Sequence, residues 1–296
     1  MNQHYLPKFY LKGFTCKNSN SPYFFQFLLK NKEWKKSYPK GTATEVDFYS
    51  FVDKNGVNNM EAENCLSKLE KNASQTLRSS IFQKKIPSEE QLIILSFFMA
   101  IMWTRTPHFR LLYNKTIDNL IKEFLLQDAN LPKEDFDKLK ADAIAKFGDE
   151  YQGITQDQLR STGDYYCEPI KPLQIAVIFH ACNEIAYIIA NMKWQILVAQ
   201  HPFFFITSDQ PLCTYDPVEK FPIGDHSNLF GYGIGSDSVE ITFPFSSEFA
   251  LHAIKGNPEI IFSKANSREI EQINARTFAF AQNFVISSDK KFPVSK

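Results

Sequence analysis

Asp209 is the first residue in this sequence whose position suggests chemistry, because it follows a predicted strand. Phe203–Thr207 is a run of large apolar and β-branched residues, which predicts a buried strand, and the polar residues from Ser208 to Pro211 predict the loop that ends it. The end of a buried strand holds an acid on a rigid support. We therefore expect Asp209 to be a catalytic or metal-binding carboxylate, with Ser208 beside it to contact substrate.

Glu63 and Glu70 form a second candidate group, on a predicted helix that begins near Asn58. They are seven residues apart, which is two helical turns, so both side chains lie on one face of that helix. Two stacked carboxylates can bind a divalent cation or divide the acid and base roles of catalysis. With Asp209 they are the candidate ligands of a divalent cation. The alternative is that both glutamates are solvated surface charges.

Arg105 follows the longest nearly uncharged apolar run of the chain, Leu92–Trp103, which predicts a central buried helix. A guanidinium at the end of such a helix must either pair with a carboxylate or bind an anion. An ion pair with Glu63 or Glu70 and a catalytic role in holding a substrate phosphate are therefore both open.

His4 lies just before a predicted short helix, Pro7–Lys12, in a segment rich in aromatic residues. An imidazole can act as a general acid or base near neutral pH, so His4 is a catalytic candidate, and Lys8 is a candidate for binding substrate. The alternative is that the aromatic rings close one end of the core and that His4 only forms a hydrogen bond.

A predicted hairpin near the N-terminus carries a cluster of lysines. Tyr23–Leu29 and Glu33–Tyr38 predict its two strands, and Lys32, Lys35 and Lys36 lie in its turn and second strand. Lysines beside aromatic rings suit binding of RNA or single-stranded DNA, because the cations contact phosphates and the rings stack on bases. Lysine on an edge strand also protects against aggregation, and this is the alternative reading of the cluster.

Composition indicates an ordinary globular protein of 296 residues with zero net charge, but the charge is unevenly distributed. Residues 1–56 contain nine lysines against four acids, whereas residues 118–168 contain twelve acids against six bases and look like a peripheral insertion. The 12-residue run Leu92–Trp103 is too short to span a bilayer, and no signal pattern opens the chain. We expect a cytoplasmic protein without membrane contact.

Several common sites are excluded by their missing motifs. Five scattered cysteines without a C-x-x-C pair argue against a disulfide framework and against a thiolate zinc site. No glycine-rich dinucleotide or P-loop motif is present either. His180 and Glu184 are four residues apart on a predicted helix, which is weak evidence for a metal site.

The patterns predict an α+β fold in a single domain, 1–296. A hairpin segment (1–57) leads into a central helical body (58–192), and strands occur in the remaining segment (193–296). The helical body is expected to pack on a mainly antiparallel sheet built from both the N-terminal and the C-terminal strands. These distant strands must meet, because neither set alone covers its edges.

A series of short motifs resembles the domain-of-unknown-function family numbered 4238. The motifs occur in order along nearly the whole chain: Gln3-His4-Tyr5-Leu6-Pro7, Asp47-Phe48-Tyr49, Glu63 with Leu66 to Glu70, Arg105-Thr106-Pro107, Phe205 to Pro211, and Phe243-Pro244-Phe245-Ser246. Phe245 stands where the family usually has leucine. The resemblance implies that the ionisable motif residues belong to one cleft, namely His4, Glu63, Glu70, Arg105 and Asp209.

Three functions fit such a cleft. The first is a phosphodiester hydrolase, nuclease-like, acting on RNA or a nucleotide, with a divalent cation on the acids, His4 as acid or base, and Arg105 on the phosphate. The second is a module that binds a small anion or nucleic acid without turnover. The third is a structural polar core whose charges satisfy one another, with function elsewhere.

Overall fold

The N-terminal hairpin pairs with a strand from near the C-terminus in the computed structural model, which describes residues 2–16, 21–52, 56–148, 153–161, 165–218 and 234–290. The described residues are 47% helical and 19% strand, and the sheets are mainly antiparallel. The predicted α+β class is therefore confirmed.

Helices and strands are numbered separately in chain order. The strands are β1 (Asn2–His4), β2 (Phe24–Leu28), β3 (Glu33–Ser37), β4 (Thr44–Val46), β5 (Phe51–Val52), β6 (Asn58–Asn59), β7 (Lys193–Val198), β8 (Thr207–Ser208), β9 (Cys213–Tyr215), β10 (Glu240–Pro244), β11 (Phe249–Ile254), β12 (Ile260–Lys264) and β13 (Phe284–Ser287). The α-helices are α1 (Lys8–Lys12), α2 (Glu61–Ser79), α3 (Glu89–Thr104), α4 (Pro107–Ala129), α5 (Lys133–Phe147), α6 (Gln156–Arg160), α7 (Lys171–Ala190) and α8 (Ser267–Phe280).

One sheet combines strands from both ends of the chain, but most of the C-terminal strands form a sheet of their own. The four-stranded sheet has the order β3-β2-β13-β8, and a separate five-stranded sheet has the order β12-β7-β11-β10-β9. The pair β12–β7 is parallel and the other pairs of these two sheets are antiparallel. β1 pairs with β4 and β5 with β6 in two further small sheets, so the described strands form four sheets where one was expected. Apolar alternation identifies a strand without identifying its partner.

The described chain divides into two compact units. The first comprises Met1–Arg110 and Ile175–Lys296, and the second comprises Leu111–Gln174. The acidic segment 118–168 lies within the second unit, where Asp118 accepts a hydrogen bond from the backbone N–H of Cys167 and pairs with Lys122. The expectation of a single folding domain stays a prediction.

Helices α2 and α3 pack together in the core of the first unit. Ser88 and Gln91 form the predicted capping box at the start of α3, and the second half of α3 is buried on all sides. α2 is amphipathic, since Leu66, Ala73 and Leu77 face the core while its other side is polar. α2 begins at Glu61, three residues after Asn58, near which its start was predicted.

The largest departure from the predicted elements lies just before Asp209. Only Thr207–Ser208 is strand, although Phe203–Thr207 was the predicted strand. The side chain of Asn274 on α8 accepts from the backbone N–H of Ile206 and donates to the carbonyl of Phe204, each at 3.0 Å. A helix side chain therefore forms the hydrogen bonds that a neighbouring strand would otherwise form with these backbone groups. Asn266 caps α8, where its side chain accepts from the backbone N–H of Glu269.

α7 is long and apolar enough to cross a membrane by length and composition, and 39% of its most apolar window is buried within the fold. α3 and α4 pass the same test only as a pair that is bent by 64°. The core helices of soluble proteins pass this test too, so it is weak evidence. The absence of membrane contact and the cytoplasmic location stay predictions.

Candidate functional site

A cleft of about 760 Å³ runs along the polar side of α2, in the first unit. Its lining on α2 follows the helical period from Glu63 to Ser79, a length of about 24 Å at 1.5 Å per residue. The opposite wall comes from β1 and α1. We call this the His4 cleft, and its lining residues are Asn2, His4, Lys8, Phe9, Glu63, Ser67, Glu70, Lys71, Ser74, Gln75, Arg78 and Ser79.

His4 is half-buried and held in place by the backbone. Its Nε2 donates to the carbonyl of Pro39 at 3.3 Å, because a carbonyl can only accept, and Nδ1 of the neutral ring then carries the lone pair. Burial lowers the pKa of His4 and the nearby Lys8 lowers it further, while hydrogen bonds to the backbone of Pro39 and Lys40 oppose both, and the charge of Glu70 opposes them more weakly. The neutral imidazole is therefore favoured.

Glu63 is shifted in the direction that favours its protonated form. Burial raises the pKa of Glu63, the neighbouring charge of Glu70 raises it further, and the Arg105 guanidinium opposes both. The two glutamates that the sequence placed on one helix face thus lie close enough to interact. The two shifts favour the protonated form of Glu63 and the neutral form of His4, and such a pair of groups in one cleft is suited to proton transfer.

Cations also line the cleft. Lys8, Lys71 and Arg78 line it, and within the described part of the chain none of them forms an ion pair. Arg78 is held against its own helix, where Nη2 donates to the Ser74 hydroxyl at 2.6 Å and Nε to the Ser74 carbonyl at 3.2 Å. Such cations attract an anionic ligand.

Arg105 does not line the cleft but lies behind it. The residue is 0% exposed, and its Nη1 donates to Glu70 Oε1 at 2.7 Å, with the Glu70 side chain 27% exposed. Nη2 lies 3.5 Å from the Met102 sulfur, and Nε has no hydrogen-bond partner among the described residues. Of the two roles left open for Arg105, the geometry supports the ion pair with Glu70, because its guanidinium is not accessible to a phosphate.

Asp209 is not brought into the cleft. It is 2% exposed, and its carboxylate accepts from the backbone N–H of Gln282 at 2.9 Å and from the backbone and side-chain N–H groups of Asn283, both at 2.8 Å. Burial raises the pKa of Asp209, while these donors oppose the rise. Ser208 is also buried, and its hydroxyl bonds only to the backbone of Gln210 in the described chain. Asp209 therefore connects the end of β8 to the segment before β13.

The three candidate metal ligands are consequently not together. Among the described residues no group of three or more His, Cys, Asp or Glu side chains is arranged to hold a metal ion. Glu63 and Glu70 share the cleft, but Asp209 does not line it. His180 and Glu184 do not belong to such a group either. The three-carboxylate arrangement predicted from sequence is therefore corrected to a pair.

The lysine hairpin lies outside the His4 cleft. Lys32, Lys35 and Lys36 are exposed, and β3 is an edge strand of its sheet. The Lys36 ammonium lies 4.0 Å from the centre of the Tyr23 ring and 5.9 Å from that of Tyr38. The three lysines do not line the cleft that Lys8 lines, and RNA binding by the hairpin stays a separate prediction.

A buried hydrogen-bond network joins the motif segments. Gln3 Oε1 accepts from the backbone N–H of Tyr49 at 2.6 Å, and the Tyr49 hydroxyl donates to the carbonyl of Arg105 at 3.1 Å. Gln210 Nε2 donates to the Thr106 hydroxyl at 2.9 Å. These neutral residues were missed, since the sequence search concentrated on ionisable groups. They explain how distant motifs come together around the end of α3.

Lys71 and Arg78 were missed for a different reason. They are eight and fifteen residues after Glu63 on α2, close to whole numbers of helical turns, so the helical period alone would have placed them on the same face. The helical period thus groups these two cations with Glu63 and Glu70, whereas the sequence prediction considered only the carboxylates of this face.

Residues 2–291 match the family model described as "Protein of unknown function (DUF4238)". The chain belongs to the DUF4238 family. The resemblance is confirmed at the level of the family, and in this DUF4238 chain hydrogen bonds join Tyr49 to Arg105 and Gln210 to Thr106 at the end of α3. Comparisons with curated proteins and with solved structures found no match.

Proposed function

We propose that this DUF4238 chain hydrolyses a phosphodiester bond, in RNA or in a nucleotide, within the His4 cleft. The observation that carries the proposal is a single cleft lined both by cations that form no ion pair among the described residues and by two groups suited to proton transfer. The cations are Lys8, Lys71 and Arg78, and the proton-transfer groups are His4 and Glu63. Lysine and arginine bind phosphate oxygens, and histidine and carboxyl groups move protons.

In the proposed reaction, a water oxygen attacks phosphorus and the bond from phosphorus to the leaving oxygen breaks. His4, as the neutral base, accepts a proton from the water, and protonated Glu63 donates a proton to the leaving oxygen. The directions of the two pKa shifts support this division of roles. The cations of the cleft stabilise the negative charge that develops on the phosphoryl oxygens.

Glu70 and Arg105 act as positioning residues in this mechanism. The Arg105 guanidinium holds Glu70 by the 2.7 Å ion pair, and Glu70 in turn raises the pKa of Glu63. A cation bound by Glu63 and Glu70 would need other ligands, such as water or substrate oxygens, because these two are the carboxylates that line the cleft.

Binding without turnover is the second candidate. The unpaired cations that support the hydrolase would by themselves hold a phosphorylated ligand, and nothing in that role requires His4 to be neutral. The two functions differ in the effect of the acid–base residues. Their removal abolishes hydrolysis, but it leaves binding by the cations intact.

The experiment measures cleavage of a fluorescently labelled single-stranded RNA by the full chain, with Mg²⁺, Mn²⁺ or EDTA added in parallel. We expect Glu63→Gln and His4→Asn each to lower kcat/KM by about 10²–10⁴-fold. Glu61→Gln is the matched control, since Glu61 is exposed on the same helix and does not line the cleft. RNA that binds but is never cleaved under any of these conditions would leave the binding module as the function.

A further inference from the structure

A second cavity, of about 350 Å³, borders the His4 cleft and shares Phe9, Ser74 and Arg78 with it. Its remaining walls are mostly apolar and include Leu77, Phe82 and Phe245, with Lys12 at its edge. We call it the Phe82 pocket. An apolar, aromatic pocket next to an anion-binding cleft indicates a ligand with a flat apolar part joined to a phosphate.

The walls of the Phe82 pocket are fixed by packing from separate elements. Phe9 on α1 packs against Phe98 with ring centres 5.4 Å apart, and Phe82, in the turn after α2, packs against Phe249 at 5.5 Å. Both rings are only partly buried, so each keeps an accessible surface. The rings are therefore held in place before any ligand arrives, which lowers the entropy cost of stacking on them.

Gly13 brings the third wall into place. A Cβ atom at this position would lie 3.0 Å from the Ser246 Cβ and 3.2 Å from the carbonyl oxygen of Phe245, and the Gly13 carbonyl accepts from the backbone N–H of Ser247 at 2.9 Å. A larger residue would push α1 away from the loop that carries Phe245. Glycine is thus required by close approach, and the approach keeps the pocket narrow.

Arg78 lies where the two cavities meet. In the described structure its hydrogen bonds use Nε and Nη2, both toward Ser74, so Nη1 remains for a ligand. The Ser74 contacts fix the plane of the guanidinium. A guanidinium fixed in this way can donate to two oxygens of one phosphate and so sets the direction from which the phosphate binds. Lys12 and Lys71 add positive charge on either side.

We propose that the Phe82 pocket binds the base of a nucleotide whose phosphate lies at Arg78 and whose backbone continues toward His4. This inference rests on the proposed function and specifies its substrate class, a nucleotide or single-stranded RNA recognised through one stacked base. Aromatic rings accept any base on their faces, so the pocket selects for the presence of a base and not for its identity. A simple sugar phosphate fills the His4 cleft but leaves the pocket empty.

The test compares the binding of AMP and ribose 5-phosphate to the full chain by isothermal titration calorimetry. We expect AMP to bind about 5–150-fold more tightly, which corresponds to the usual contribution of one stacked base. Phe82→Leu keeps an apolar side chain without a ring, and it should reduce this preference without weakening ribose 5-phosphate, because Phe82 does not line the His4 cleft. Phe9→Leu should also reduce the preference, although Phe9 lines both cavities. Phe278→Leu is the matched control, because Phe278 is partly exposed and lines neither cavity.

The outcomes separate this inference from the hydrolase. Equal affinities for AMP and ribose 5-phosphate, or a preference for AMP that survives both ring substitutions, overturn the base pocket and leave the phosphodiester proposal standing. A preference for AMP that Phe82→Leu removes, in a protein that never cleaves RNA, supports the pocket and overturns the hydrolase. Binding of neither ligand overturns the pocket.

Discussion

At the scale of single residues, the ion pair between Arg105 and Glu70 is asymmetric, and this asymmetry is testable. Arg105 is fully buried, whereas Glu70 reaches the cleft and is 27% exposed. Glu70→Met leaves the guanidinium buried without a carboxylate, so we expect the free energy of unfolding to fall by about 3–5 kcal/mol. Arg105→Met should cost less, because water can solvate the remaining Glu70.

Urea unfolding of both single variants and of the double variant measures the coupling. We expect the double variant to recover most of the loss seen in Glu70→Met, because no charge is then left buried and unpaired. Equal single losses that add in the double variant would show that the pair has no special role in stability.

Asp209 provides a second residue-scale prediction, for a structural role. Asp209→Asn places an amide NH₂ against backbone N–H groups that now donate to a carboxylate oxygen, so at least one buried donor loses its acceptor. We expect unfolding to become easier by about 1–3 kcal/mol, with RNA cleavage unchanged in the folded variant. Asp289→Asn is the exposed control. A variant as stable as the wild type that no longer cleaves RNA would return Asp209 to the active site.

The proposed acid–base pair predicts an acidic pH optimum. The pKa of His4 is lowered, so His4 stays neutral below the usual histidine value of about 6.5, and the pKa of Glu63 is raised, so Glu63 stays protonated above the usual glutamate value of about 4.3. Activity should fall at low pH as His4 gains a proton and at higher pH as Glu63 loses one. Both shifts increase the fraction of enzyme in the active form.

The pH profile of kcat/KM measures this directly. We expect a maximum between about pH 4.3 and 6.5, and a loss of the alkaline limb in the residual activity of Glu63→Gln. Glu61→Gln should keep both limbs. A rate that keeps rising above pH 7 contradicts protonated Glu63 as the acid.

At the scale of elements, α2 accounts for both the core and the cleft. Its apolar side packs on α3, and its polar side supplies most of the cleft lining over about 24 Å. The carboxylates Glu63 and Glu70 come in its first half and Arg78 in its last turn, where a cation also interacts favourably with the helix dipole. A single helix therefore carries both carboxylates of the cleft and two of its cations, Lys71 and Arg78.

The lysine hairpin makes an independent prediction at this scale. We expect weak binding of RNA or single-stranded DNA through Lys32, Lys35 and Lys36, measured by fluorescence anisotropy, that weakens between about 50 and 200 mM salt. Changing all three to Glu should abolish this salt-sensitive component. The control changes the exposed lysines Lys68, Lys85 and Lys264 to Glu. Binding that the hairpin variant retains would leave β3 as a protected edge strand.

At the scale of the whole molecule, the four-stranded sheet connects the two ends of the chain. β13 pairs with β2 from Phe284–Leu28 to Ser287–Phe25, and Ile286 is 0% exposed. Because sheet strands open cooperatively with their neighbours, damage to β13 should loosen the N-terminal hairpin about 250 residues earlier in the chain.

Hydrogen exchange followed by mass spectrometry tests this coupling. Ile286→Ala leaves a cavity that costs about 2–5 kcal/mol, and we expect faster exchange at the amides of Phe24–Leu28. Ile261→Ala on β12 is the control, since it lies in the five-stranded sheet and is partly exposed. Unchanged exchange in the hairpin would show that the two ends fold independently.

Local features of this protein were determined by the sequence itself. The capping box of Ser88 and Gln91 and the apolar run of α3 were predictable, because caps and helical periods depend on residues a few positions apart. The same holds for Glu63 and Glu70 on one face of α2. The shared cleft of His4 with these glutamates followed from the family resemblance, which orders the motifs along the chain.

Only the tertiary structure decided what each buried polar group meets. The side chain of Asn274 bonds to the backbone of Phe204 and Ile206 in place of a strand. The carboxylate of Asp209 accepts from Gln282 and Asn283, and Arg105 pairs with Glu70. Each of these pairs joins residues far apart in sequence, where no local period or cap can specify the partner. A carboxylate at a strand end is equally suited to catalysis and to holding backbone N–H groups, and burial with three donors is what distinguishes the two roles.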